Sequence, residues 1–119
     1  MKTSIKAFYF ILILSSCSRS NEKVKVNLLN ISKIKIDSIV ISINKSKLNF
    51  MNINANQTQK LSKSVDLKKS GVGQGAFVIS IYANDSLKNS GTFGYFSNPS
   101  EIKSEYTVTI FDDLKFREN

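Results

Sequence analysis

From residue 23 onward, apolar and polar residues alternate with a period of two rather than the 3.6 of a helix. Val24, Val26 and Leu28 alternate with Lys23, Lys25 and Asn27, and Ile39, Ile41 and Ile43 alternate with Val40, Ser42 and Asn44. Ile34 and Ile36 have the opposite parity to that second set, so the phase slips at Asp37-Ser38; a bulge or a turn is expected there. Residues 47–54 predict a third strand, and 59–67 a more polar fourth whose lysines suit a sheet edge. Phe77, Ile79 and Ile81 define a fifth, residues 92–96 a sixth, Tyr106, Val108 and Ile110 a seventh, and residues 114–116 a short eighth. Only residues 60–69 read equally well as helix. Asn44-Lys45-Ser46, Asn54-Ala55-Asn56, Asn84-Asp85, Ser97-Asn98-Pro99-Ser100 and Asp112-Asp113 supply turn chemistry between them. Short strands about ten residues apart predict an all-β fold: a small antiparallel β-sandwich of seven to eight strands, immunoglobulin-like or similar.

The first sixteen residues follow a different rule. Lys2 and Lys6 precede an apolar run over residues 7–14. Eight helical residues span about 12 Å, far short of a bilayer core of about 30 Å, so the run fits a cleaved signal better than a membrane span. The sole cysteine follows at once, in Leu14-Ser15-Ser16-Cys17. These four residues resemble the bacterial lipobox, and the rest of the chain is similar in character to small envelope lipoproteins of Bacteroidota-like bacteria. The resemblance implies a diacylglyceryl group (palmitate-type chains) on the Cys17 sulfur, cleavage before Cys17, and membrane lipid as a partner through the acylated residue. Two acyl chains anchor stably where one does not. Residues 1–16 are therefore expected to be a lipoprotein signal peptide, 17–23 the lipidated Cys17 with a polar tether, and 24–119 the β-sandwich. Ser18, standing where aspartate marks inner-membrane retention in such lipoproteins, implies the periplasmic face of the outer membrane.

Composition removes several chemistries. One cysteine cannot form an internal disulfide, and the absence of histidine excludes His-based metal sites and Ser-His or Cys-His nucleophilic pairs. No enzyme activity, cofactor or metal is expected. Gly71-Val72-Gly73-Gln74-Gly75 lies before a strand rather than between a strand and a helix, so it reads as a loop and not a phosphate cradle. Asp85, Glu101, Glu105, Asp112 and Asp113 read as turn acids rather than as an acid/base pair or a calcium site. Asp37-Ser38-Ile39 and Asp85-Ser86-Leu87 resemble Asp-Ser-aliphatic O-glycosylation sites of exported Bacteroidota proteins.

Two features remain as candidates for recognition. Phe93, Tyr95 and Phe96 cluster beside Gly91 and Gly94; they fill a core or present a binding surface. Charge is unequal: residues 17–70 carry eleven Lys and Arg against three acids, residues 71–119 four against six. Lys23, Lys25, Lys33 and Lys35 are the candidate membrane-facing basics, against a background of lysines lining solvated strand faces. Lysine far outnumbers arginine, which disfavours nucleic acid as a partner. The expected function is non-enzymatic binding or structural support at the cell envelope, toward an unknown envelope protein or a glycan. The alternative is an immunity or inhibitor lipoprotein guarding against an envelope-acting toxin or lytic enzyme.

Overall fold

The structure is a computed structural model that describes residues 23–67 and 74–119. Eight strands run in the order β1 (Lys23–Asn30), β2 (Ile36–Ile43), β3 (Ser46–Ile53), β4 (Leu61–Asp66), β5 (Gly75–Ala83), β6 (Ser86–Phe96), β7 (Glu105–Ile110) and β8 (Phe116–Glu118), with one 3₁₀ turn at Pro99–Glu101. They form two four-stranded sheets, ordered β4-β1-β7-β8 and β3-β2-β5-β6. All neighbouring strands are antiparallel except β1 and β7, which run parallel. The layering is that of a β-sandwich with its own strand order: β2 and β3 form a hairpin within one sheet, whereas the immunoglobulin order puts its second and third strands in opposite sheets.

The period-two faces meet between the sheets. Val24, Val26 and Leu28 of β1 and Tyr106, Val108 and Ile110 of β7 pack against Ile39, Ile41 and Ile43 of β2, Phe50 of β3 and Phe77, Ile79 and Ile81 of β5. Burying each such side chain contributes about 1.5–3 kcal/mol, and this is the main force holding the sheets together. The phase slip at Asp37-Ser38 falls inside β2 and leaves its register with β3 unshifted. Ile36 faces Ile53 and Ile39 faces Phe50 in an unshifted register, all four buried, with two residues between them in each strand. Strand β3 makes the matching turn at Asn52, whose φ is +51°.

Asparagine carries much of the local geometry. Asn44, Asn52, Asn56 and Asn84 all adopt left-handed φ, which Asn tolerates better than other residues with a Cβ. Asn84 and Asp85 both do so in the two-residue β5–β6 loop, as a type I′ hairpin requires.

Candidate functional site

Strand direction sorts the loops into two ends. The start of β1 at Lys23, the β2–β3 turn and residues 97–104 share one end; loops 31–35, 54–60, 84–85 and 111–115 share the other. This separates the four candidate basics. Lys23 and Lys25 are exposed at the beginning of β1, while Lys33 and Lys35 are exposed beyond its far end. Eight residues at about 3.3 Å each put the pairs on the order of 25 Å apart, well beyond a Debye length of about 8 Å. The four lysines therefore form two pairs at opposite ends of the sandwich.

The aromatic trio is also divided. Phe93 and Phe96 are buried, and only Tyr95 is exposed, at 72%. Phe93 lies opposite Phe77 across the β5–β6 pair, and their rings stack with centroids 5.1 Å apart and planes 9° from parallel. Tyr106 closes on both at 5.1 and 5.9 Å, and its hydroxyl accepts a hydrogen bond from the Lys103 amide at 3.1 Å. Gly94, at φ +65°, has no room for a side chain: a Cβ would lie 3.0 Å from Tyr106 Cε1 and 3.2 Å from Phe77 Cδ2. The left-handed turn there sends Tyr95 outward and returns Phe96 to the core. Core packing thus claims two of the three residues that were candidates for a binding surface.

The acids are spread over both ends and one sheet face. The Asp37 carboxylate accepts from the Asp85 amide, Asp112 from the Lys33 amide, and Asp113 from the Lys115 amide. Glu105 pairs with Asn27 on the outer face of the first sheet. Glu101 accepts from the Ser97 hydroxyl and amide at 2.7 and 2.6 Å, and these bonds, the hydroxyl's first, hold its carboxyl below the ordinary range. No group of three or more Asp, Glu, Cys or His residues that could hold a metal exists among the described residues. Of the two Asp-Ser-aliphatic sites, Ser86 is exposed and Ser38 half-buried in the middle of its sheet. Cys17 and Gly71–Gly73 lie outside the described residues; Gly75 opens β5.

The end opposite Lys23 contains a buried polar hub. Asn30 and Ser32 are fully buried. Asn30 Oδ1 accepts from the Ser32 amide and hydroxyl at 3.1 and 2.6 Å, and its Nδ2 donates to the carbonyls of Ile34 and Asn54, both at 3.0 Å. The Asn30 amide donates to Gln57 Oε1 at 2.9 Å, and the amides of Asn56 and Gln57 donate back to the carbonyls of Ser32 and Asn30 at 2.8 Å. Every buried side-chain polar atom among the described residues is satisfied, so the hub clamps loop 54–60 to loop 31–35 at low cost. On the clamped loop lies an open concavity of about 370 Å³, lined by Asn54, Ala55, Asn56, Gln57, Thr58, Gln59 and Leu61.

Below that concavity run β3 and β4, the edge strands on one side of the sandwich. Lys63 of β4 spans the gap: its Nζ donates to the Asn49 carbonyl of β3 and sits 5.6 Å from the Phe50 ring centroid. Lys47 and Lys60 are exposed on the same margin. Among the described residues the ion pairs are Lys103–Glu118 at 3.4 Å and Lys115–Asp113 at 3.6 Å, both involving the β7–β8 side. Among the described residues Lys47, Lys60 and Lys63 have no carboxylate within ion-pair reach. Part of the charge asymmetry therefore has a structural source: both edges of this margin fall in the first half of the sequence, and lysines keep sheet edges from pairing with other chains.

No protein-family model matches the chain, and no curated protein does. Among solved structures it is similar to an NMR structure of a protein from Eubacterium rectale, with a TM-score of 0.52 and 12% identity, covering 83% of this chain and 88% of that one. At that identity the likeness extends to the fold.

Proposed function

We propose that the protein is a lipid-anchored domain of the cell envelope, held through acylated Cys17 on the periplasmic face of the outer membrane, that acts by binding. The observation that carries this reading is the position of β1. Its first residue, Lys23, comes six residues after Cys17, a reach of at most about 20 Å. An anchor at Cys17 would hold the Lys23 end close to the headgroups, where Lys23 and Lys25 each add about 1 kcal/mol on an anionic surface. The end with the clamped loop and its concavity would then face away from the bilayer, where a partner can reach it. The polar hub supports a binding role because it removes in advance the entropy that ordering a recognition loop would otherwise cost.

The test is metabolic labelling of cells with an alkyne fatty acid. The chain should take up label, and Cys17→Ala should abolish it and leave an unprocessed precursor. Equal labelling of the variant would contradict the anchor.

A further inference from the structure

Two features share this side of the sandwich: the uncompensated cations of the β3–β4 margin and the uncharged concavity at its top. Lys47 lies on β3 near the Lys23 end; Lys63 bridges from β4 to β3 at mid-height; Lys60 stands between Gln59 and Leu61, both of which line the concavity. Strand rise spaces Lys47 from the top of β3 by roughly 20 Å, with Lys63 between. The three cations thus lie at successive heights along this side of the sandwich, Lys47 on the outer face of β3 and Lys63 across the gap to it.

The concavity adds a different chemistry. Its lining carries four amide side chains and one hydroxyl, no charge, and the apolar atoms of Ala55 and Leu61. Gln57 is committed to the hub. The side chains of Asn54, Asn56, Thr58 and Gln59 make no hydrogen bond among the described residues, so their donors and acceptors are free on a backbone that is already fixed. An amide offers two donors and an acceptor that takes two bonds, which matches vicinal sugar hydroxyls. A phosphate or carboxylate alone would meet no cation inside the concavity, and a neutral sugar alone would make no use of the lysines. A ligand with both kinds of group uses both features.

We infer that the β3–β4 margin binds an anionic glycan, with its acidic groups along Lys47, Lys63 and Lys60 and a sugar ring in the concavity between Asn54 and Gln59. This names a partner class for the binding role proposed above and rests on that reading, but it does not need the lipid: binding is measured in solution, and a failure here leaves the labelling result intact.

The full-length processed protein, solubilised in detergent, is titrated with oligogalacturonate, neutral malto-oligosaccharide and polyphosphate. Oligogalacturonate should bind, and more weakly as salt screens the lysines. Lys47→Gln with Lys60→Gln, which keeps the Lys63–Asn49 link, should weaken it at least tenfold. Asn54→Ala with Gln59→Ala should weaken it severalfold while leaving the circular dichroism unchanged, since all four side chains are exposed. Malto-oligosaccharide should bind at least tenfold more weakly. Polyphosphate binding as tightly as oligogalacturonate would reduce the margin to a patch of charge and overturn the inference. So would absence of oligogalacturonate binding, or binding indifferent to both pairs of substitutions.

Discussion

Phe116 lies against the bare backbone of Gly91, so close that a Cβ on that glycine would meet its Cζ at 2.7 Å. The contact joins the short edge strand of one sheet to the edge strand of the other. The bond from Asn89 Nδ2 to the Leu114 carbonyl, at 3.0 Å, closes the same seam. On the opposite side, Lys63 over Phe50 performs the corresponding closure.

Gly91→Ala is expected to push the Phe116 ring out of its seat. The cost should be about 1–2 kcal/mol, since the ring is only half-buried and can swing outward. Phe116→Ala should cost less in the Gly91→Ala background than in the native chain, because both changes disrupt one contact. Denaturant unfolding of the four proteins measures the difference; simple additivity would show that the seam is not shared.

Asn30→Asp tests the polar hub by changing a single group. The oxygen replacing Nδ2 would face the Ile34 and Asn54 carbonyls, so the buried carboxyl resists ionisation and its folded pKa lies above the unfolded value of about 3.9. A raised folded pKa gives stability that is complete below about pH 3.9 and is lost as pH rises through the folded value. Near neutrality the variant should be at least about 3 kcal/mol less stable than the native chain. Thermal unfolding across pH should show the gap narrowing in acid; a constant gap would mean that the substituted group finds water.

Glu101 works in the opposite direction. Its hydrogen bonds from Ser97 lower the folded pKa, so its contribution is present above about pH 4.3 and is lost as pH falls through the folded value. The group is at the surface, so the effect is local: the Ser97 amide resonance should titrate with a midpoint below the ordinary glutamate value, and Glu101→Gln should remove that titration. A Ser97 midpoint at or above 4.3 would contradict the capping geometry.

Ile79 and Val78 are adjacent on β5 and face opposite ways, fully buried and 43% exposed. Ile79→Asp should unfold the domain by burying an unpaired charge, whereas Val78→Asp should cost no more than about 1 kcal/mol. Far-ultraviolet circular dichroism of both variants reads this directly. Similar losses would mean that the two faces of β5 are not distinguished as described.

The strands were legible because each has one buried face, and alternation records that face directly. Where the record failed, other forces had set the backbone. Strand β6 begins at Ser86, six residues before its apolar pattern, because a register shift after Ile81 places Asn89 inward to bond the Leu114 carbonyl. Strand β8 starts at Phe116 rather than residue 114 because Leu114 is held at φ +59° with its side chain in the core. The parallel β1–β7 pair left no local trace, since pairing partners 80 residues apart do not change either strand's own alternation. The amide-rich loop at residues 54–59 read only as turn residues. Its role emerges from Asn30 and Ser32, which bond to it across 24 or more residues of chain and fix it in space.

The intact mass of the mature protein extracted from membranes tests the anchored-domain account most directly. A chain beginning at Cys17 and carrying diacylglyceryl on its sulfur, with that mass lost in Cys17→Ala, is the expected result. A chain that retains residues 1–16, or one cleaved at another position without lipid, would contradict it.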